Sequence, residues 1–157
     1  MNKFISPTKG ALDFNDMVNH IINYISSEED KKYAVFIGTD SSVKHHIEYV
    51  TAIAVHRVGY GGIFFYTRKH LIKSSITLRE RIYQETLLSV EIAQKLLESL
   101  DYRQISNFQL TIHLDIGKNG PTKEIINEVM GIVKGYGFEA TYKPLSWAAT
   151  SIADRYT

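Results

Sequence analysis

The sequence predicts a mixed α/β domain with a five-stranded sheet, three antiparallel strands then two parallel ones, flanked by helices. Two observations predict this fold class. Three β-rich segments between residues 33 and 70 are joined by short turn sequences, as in an antiparallel meander. After residue 77, amphipathic helices alternate with two further strands, which is the pattern of parallel strands. An extra helix precedes the sheet.

The first 32 residues are predicted to form an arm, a helix and a linker packed on a main domain of residues 33–157. Asp13 or Asn15 can cap the helix. Apolar side chains recur at helical spacing and predict one buried face: Met17, Val18, Ile21, Ile22 and Ile25. The charged stretch from Ser26 to Lys32 is typical of a surface loop. We expect this helix to pack on the domain, and a role in dimerisation is the alternative.

The opening strand of the main domain carries the first candidate site residue. The apolar run Val35–Ile37 predicts a buried strand, Gly38 and Thr39 are expected to end it, and Asp40 follows at its tip. A carboxylate there is costly to bury unless a partner or a metal satisfies it, and strand ends are where sites are usually built. The alternative is a simple turn residue, because Asp-Ser-Ser is favourable turn chemistry.

The next two strands follow from turn signals. Residues 41–46 are predicted to form a turn, and Ile47–Arg57 is predicted to be the second strand, with apolar residues on both faces. The glycine-rich segment 59–62 predicts a hairpin that leads into a third strand over Ile63–His70.

The longest helix is predicted from about Thr77 to Leu100. Its expected buried face comprises Ile82, Thr86, Ser89, Ala93, Leu96, Leu97 and Leu100. Glu80, Glu91 and Glu98 project toward solvent, whereas Glu85 alone among the glutamates of this helix faces inward. Glu85 is therefore a candidate site residue, and the alternative is an ordinary salt bridge at the rim of the core.

A fourth strand is predicted over Phe108–Leu114, with Asp115 at its end. His113 and Asp115 share a face by the alternation of side chains along a strand. Because a helix separates the first and fourth strands, the two can be parallel neighbours. That arrangement would bring Asp40 and Asp115 to the same edge of the sheet.

The rest of the chain is predicted as helix, strand and helix. Gly120-Pro121 opens a helix that ends at the glycines near residue 136, and a short strand follows over Phe138–Tyr142. A terminal helix is predicted over Trp147–Tyr156, and it contains the fourth candidate acid, Asp154. The alternative for Asp154 is a solvated helix end, or a pair with Arg155 or a lysine.

Composition limits the classes of function. The chain has 157 residues, enough for one domain with a real core, and its net charge of +1 excludes a strongly basic protein. Any contact with nucleic acid must therefore come from a local patch. The absence of cysteine excludes disulfides, thiolate zinc sites and cysteine nucleophiles. There is no signal peptide or membrane-length apolar run, so we expect a cytoplasmic protein without a membrane partner.

The order of strands and helices, with Asp, Glu, Asp and Asp at Asp40, Glu85, Asp115 and Asp154, resembles the ribonuclease H fold over residues 33–157. Three motifs more narrowly resemble small bacterial YkuK-type proteins of that superfamily. They are Phe-Ile-Gly-Thr-Asp-Ser-Ser, His-Leu-Asp-Ile-Gly followed by Asn-Gly-Pro-Thr-Lys, and the terminal Ala-Ala-Thr-Ser-Ile-Ala-Asp-Arg-Tyr.

The resemblance implies that two divalent ions, Mg²⁺ or Mn²⁺, are held by the four carboxylates. Asp40 would bridge the ions, Asp154 would help hold the ion that activates water, and Glu85 and Asp115 would hold the other. Physical chemistry agrees, because clustered carboxylates repel one another and hard cations neutralise them. The implied partner is nucleic acid: RNA, an RNA–DNA hybrid or structured DNA.

Candidate contacts to a substrate lie around these acids. The residues expected to contact it are Ser41, Lys44, His45, Lys118 and Lys143, and Lys123 and Arg155 are further cations in the same region. Two features of the nuclease family are missing: a histidine in the loop before the last helix, where Lys143 or Ser146 stands, and a basic protrusion. His45, His46 or His113 can substitute for the first, and the adjacent pair is the better candidate.

Three functional hypotheses follow. The first is a metal-dependent nuclease. The second is a nucleic-acid-binding or scaffold domain with this fold and little or no catalysis. The third, a phosphotransferase or ATPase related to actin, requires two lobes and paired phosphate loops, for which 157 residues are too few.

Overall fold

The computed structural model describes residues 3–72, 75–117, 123–143 and 156, and it contains a seven-stranded mixed sheet. The strands are β1 (Phe4–Ser6), β2 (Gly10–Leu12), β3 (Tyr33–Val43), β4 (Ile47–Arg57), β5 (Gly62–Leu71), β6 (Phe108–Gly117) and β7 (Glu139–Lys143). The helices are α1 (Phe14–Ser27), α2 (Leu78–Tyr102) and α3 (Ile126–Gly135), the last preceded by a 3₁₀ turn over Lys123–Ile125. The strand order is β2-β1-β5-β4-β3-β6-β7.

The centre of the sheet confirms the predicted fold class. Strands β3, β4 and β5 pair antiparallel, β6 pairs parallel with β3, and β7 pairs parallel with β6. The chain reaches β6 from β5 through α2, the kind of long connection that a parallel neighbour requires.

The prediction of five strands was wrong, because the N-terminal arm is itself a hairpin. β1 and β2 pair antiparallel, and Ile5 of β1 pairs with Tyr66 of β5, which adds two strands at that edge. The side chain of Ser6 accepts hydrogen bonds from the backbone N–H groups of Thr8 and Lys9 and so stabilises the turn. Burial of Phe4 in the main core holds the hairpin against the domain.

Two predicted strand ends were also wrong. β3 continues through Asp40 to Val43, so that only residues 44–46 form the turn to β4. β6 likewise continues through Asp115 to Gly117. β3 stays extended because β4 pairs with it along its whole length, as far as Val43 opposite Ile47. Cross-strand pairing thus outweighs the weak strand propensity of glycine, aspartate and serine.

The helices follow the predicted periodicity. Asp13 caps α1 by accepting a hydrogen bond from the Asp16 backbone N–H, and the five predicted apolar side chains of α1 are buried. Of the face predicted for α2, all side chains are buried except Leu97, which is half-buried. Within the described residues, no helix is long and apolar enough to cross a membrane.

The two faces of the sheet have different coverings. Cross-strand partners share a face, so the registers divide the side chains into two sets. We call the face of Ile37, Thr39 and Ser41 the helix face, because α1, α2 and α3 bury the main core against it. The opposite face, which we call the open face, carries Asp40 and a smaller apolar cluster around Tyr66.

Candidate active site

Asp40 and Asp115 lie at equivalent positions on two neighbouring parallel strands. The β3–β6 register runs from Tyr33–Phe108 to its last pair, Gly38–His113. Each aspartate is two residues beyond that pair, where β3 remains paired with β4 but no longer with β6. Both side chains project from the open face, and both are half-buried. The two carboxylates therefore flank the point at which the strands separate.

Glu85 approaches the same point from the helix face. It lies in α2 with 7% of its surface exposed, and one carboxylate oxygen accepts a 2.5 Å hydrogen bond from the hydroxyl of Ser41. One turn further along α2, the hydroxyl of Ser89 bonds Thr39 at 2.7 Å, and Thr39 bonds Thr51 at 2.9 Å. These buried hydroxyl contacts fix α2 against β3 and β4 and so set the position of Glu85.

The environment of Glu85 raises the pKa of its carboxyl to about 8 from an ordinary 4.5. Burial is the largest cause, and the charges of Asp40 and Asp115 raise this pKa further. The hydrogen bond from Ser41 and the charge of Arg81 act in the opposite direction. In the absence of a cation, this carboxyl group therefore keeps its proton at neutral pH.

Asp115 has a cationic neighbour. The ammonium group of Lys143, on β7, lies 2.6 Å from its carboxylate oxygen. The lysine side chain is 58% exposed, so this ion pair is open to solvent and contributes little to stability. Lys143 nevertheless places a positive charge beside Asp115, at the edge of the cluster formed by Asp40, Glu85 and Asp115.

The side chain of His113 is on the same face of the sheet as Asp40 and is buried, with 4% of its surface exposed. Its ring lies 4.5 Å from the ring of Phe36, and burial lowers its pKa to about 4. The imidazole is therefore neutral at pH 7 and cannot supply a proton there as a cation. This environment is that of a packed core histidine.

The structure separates the residues predicted to contact substrate. Ser41 is buried on the helix face, Lys44 and His45 are exposed in the turn between β3 and β4, and Lys143 pairs with Asp115. Lys118 lies outside the described residues. Asp154, Ser146 and Arg155 also lie outside them, as does most of the predicted terminal helix.

Tyr156 is the one described residue at the C-terminus, and it packs on the open face. Its ring stacks on that of Tyr66 at 4.1 Å, and its backbone oxygen accepts a 2.7 Å hydrogen bond from Arg68. Tyr66 pairs with Ala52, which in turn pairs with Gly38. Tyr156 thus lies on the same face of the sheet as Asp40.

The sequence did not predict a second group of side chains that could bind a metal ion. Among the described residues, one set of three has all its ligand atoms within 4.8 Å of one another: His46, Glu48 and His70. The carboxylates of Asp40 and Glu85 are not part of any such set in the described ranges. Counting outward from the predicted hairpin at 59–62 pairs His70 with Thr51, whereas the observed register pairs it with Glu48, so the predicted turn did not indicate this group.

Comparisons with known proteins agree with this architecture. A family model described as "Ribonuclease H-like" matches residues 16–157. The chain is 31% identical, over 166 aligned positions, to a Bacillus subtilis (strain 168) protein named "Uncharacterized protein YkuK", and the alignment covers 98% of this chain and 96% of that protein. No solved structure matches the chain.

Proposed function

Because this chain belongs to the ribonuclease-H-like family, we propose that it is a metal-dependent nuclease that hydrolyses phosphodiester bonds in RNA, an RNA–DNA hybrid or structured DNA. One observation carries this proposal. Asp40 and Asp115 stand in register just beyond the last β3–β6 pair, and Glu85 approaches them closely enough for their charges to raise its pKa. Carboxylates that lie this close repel one another, and bound cations would neutralise them.

The donor set fits hard divalent cations. Carboxylate oxygens are the ligands that Mg²⁺ and Mn²⁺ prefer, and the buried Glu85 requires either a proton or a cation beside its two acidic neighbours. Asp40, Glu85 and Asp115 are the described residues that would hold the ions, with Asp154 as the proposed fourth ligand. Bound there, such ions would activate the attacking water and stabilise the leaving oxygen of a phosphodiester.

The inclusion of Asp154 rests on its neighbour in the chain. Tyr156, two residues later, packs against Tyr66 on the open face, to which Asp40 also belongs. This contact supports the inclusion of Asp154 in the proposed site. It leaves the position of Asp154 as a proposal, which the substitution Asp154→Asn tests directly.

The remaining side chains would bind and orient the substrate. Lys44 and His45 are exposed in the turn beyond the end of β3, where they can meet phosphate oxygens. Ser41 orients Glu85 through its hydroxyl instead of facing solvent. Phosphate contacts from Lys44 and His45 would position the backbone of a nucleic acid without reading its base sequence.

One observation favours the second hypothesis, a binding domain without catalysis. Lys143 donates to Asp115 at 2.6 Å and so occupies an oxygen that a metal ion would use. If this pair persists when divalent ions are present, Asp115 is not available to a metal ion, and that outcome favours the binding domain.

The test is a cleavage assay on labelled single-stranded RNA, RNA–DNA hybrid, duplex DNA and a four-way junction, with Mg²⁺ and with Mn²⁺. Asp40→Asn and Asp115→Asn, purified in parallel, should reduce the rate at least about 100-fold, because each removes a ligand charge at the reacting centre. Glu91→Gln, an exposed acid on α2, is the matched control and should cleave at the wild-type rate.

The outcomes separate the hypotheses. Metal-dependent cleavage that disappears in both aspartate variants supports the nuclease and identifies its substrate class. Cleavage that survives in Asp40→Asn comes from a contaminant and contradicts the proposal. Metal-independent binding of a nucleic acid without cleavage, unchanged in Asp115→Asn, supports the binding domain.

A further inference from the structure

His46, Glu48 and His70 form a compact group on the open face, apart from the carboxylates. The two imidazole rings lie 4.9 Å apart, and the Nε2 atom of His70 is 3.4 Å from a carboxylate oxygen of Glu48. All three ligand atoms fall within 4.8 Å of one another, which is close enough for a single ion to reach each with small side-chain adjustments.

The backbone holds this group in place. Glu48 and His70 are direct cross-strand partners in β4 and β5, so their side chains project side by side. His46 lies in the turn before β4, and its carbonyl accepts a 3.1 Å hydrogen bond from the Lys44 backbone N–H. Arg68 lies 3.6 Å from the other oxygen of Glu48 and restrains that carboxylate. Sites built on strands hold their ligands more firmly than sites on loops.

The group is accessible but not fully solvated. The side chain of Glu48 is 21% exposed and that of His70 is 50% exposed, so an ion could enter from solvent. A surface pair of glutamate and histidine by itself contributes little to stability. A positive charge on His46 beside that pair would add no stability, because two protonated imidazoles at this distance would repel one another.

We propose that His46, Glu48 and His70 bind a divalent transition-metal ion of the zinc class, at a site separate from the carboxylate centre. Two imidazole nitrogens and one carboxylate suit Zn²⁺ and its first-row neighbours, whereas Mg²⁺ prefers oxygen ligands. Three protein ligands leave at least one coordination position for water or for an anionic oxygen of a bound molecule.

The position of this site relates it to the carboxylates. Glu48 pairs with Ser42, which is two residues beyond Asp40 on β3 and shares its face. Given the spacing of residues along and across a sheet, the ion would lie on the order of 10 Å from Asp40. A ligand that bound both this ion and Asp40 would therefore have to span that distance along the open face.

The test is direct metal binding by the full chain after treatment with a chelator. With excess Mg²⁺ present to occupy the carboxylate centre, titration with Co²⁺, followed by its visible absorption, and calorimetry with Zn²⁺ should both give one equivalent with a dissociation constant in the micromolar range or tighter. His46→Ala and His70→Ala should each weaken that binding about 50-fold or more, since each removes one of three ligands. An excess of Mg²⁺ should not displace the ion.

Controls come from residues close to the group. His45→Ala, at the exposed neighbour of His46, and Asp40→Asn should bind Zn²⁺ as the wild type does. Circular dichroism verifies that each variant is folded, and His70→Gln replaces His70→Ala if the alanine variant is not. Because the readout is metal binding, failure of the nuclease assay leaves this result unaffected.

Three results would overturn the proposal. They are a wild-type chain that takes up no Zn²⁺, equal losses of affinity in His45→Ala and His46→Ala, and loss of binding in Asp40→Asn. The last result would assign the ion to the carboxylate centre.

Discussion

Replacing Glu85 by glutamine should stabilise the metal-free protein above neutral pH. The substitution removes a buried group that would have to ionise there. Glutamine keeps the shape of the side chain and an oxygen that can accept from Ser41, but it cannot ionise. Folding raises the pKa of this carboxyl from 4.5 to about 8. The folded chain therefore holds a proton that the unfolded chain releases, and the free energy of unfolding falls as the pH rises between these values.

The magnitude follows from the same shift. The pKa difference sets a ceiling of about 5 kcal/mol for the loss of stability between pH 4.5 and pH 8 and above. Readjustment of Ser41 and Arg81 around the ionised carboxylate reduces this loss, and we expect about 3 kcal/mol. Glu85→Gln should match the wild type near pH 5 and exceed its stability by that amount near pH 9.

The assay is urea unfolding, followed by circular dichroism at pH 5, 7 and 9 in the presence of a chelator. Glu91→Gln on the exposed side of α2, where Glu91 pairs with Lys95 at 3.2 Å, should differ from the wild type by less than about 0.5 kcal/mol at every pH. Added Mg²⁺ should restore stability to the wild type but not to Glu85→Gln. A stability difference that is constant across pH, or a variant less stable at pH 9, would refute the reasoning.

Three further predictions concern neighbours of this carboxyl. Burial lowers the pKa of His113 to about 4, so the free energy of unfolding of the wild type should fall as the pH drops from about 6.5 to 4. Urea unfolding at pH 7.5 and pH 4 should show that His113→Phe loses less stability than the wild type over this range, by up to about 3 kcal/mol. Lys143→Met should free Asp115, lower stability by less than about 1 kcal/mol and strengthen Mg²⁺ binding several-fold by calorimetry, whereas unchanged affinity would count against metal binding at Asp115. Ser89→Ala removes the 2.7 Å bond to Thr39 and should lower stability by about 1–2 kcal/mol, measured as the shift in urea midpoint.

The amphipathic helices were predictable because their burial follows a local period. Asp13 as the cap of α1, the buried face of α2 and the inward position of Glu85 all follow from residues within a few turns of one another. The parallel pairing of β3 with β6 was also predictable, since the connection between them contains a long helix. These features depend on spacing along the chain.

Features that depend on distant partners were missed. Three-residue strands such as β1 and β2 are too short to show a period, and the burial of Phe4 against Phe14 at 5.9 Å holds them in place. The extension of β3 past Asp40 depends on β4, which lies next to it for its whole length. The group around His46 and His70 required a strand register, which hydropathy alone does not provide.

The corrected strand ends explain why carboxylates from both sides of the sheet can approach one another. Had β3 ended at Asp40, that aspartate would lie at the start of a loop and not within a paired strand. Instead β3 and β6 both continue after losing each other as partners at Gly38 and His113, which leaves a separation between two ordered strands. Glu85 reaches that separation from the helix face, while Asp40 and Asp115 border it from the open face. This arrangement holds acidic groups near one another at a cost in free energy that a proton or a cation offsets. The stability difference between the wild type and Glu85→Gln, followed against pH, measures that cost.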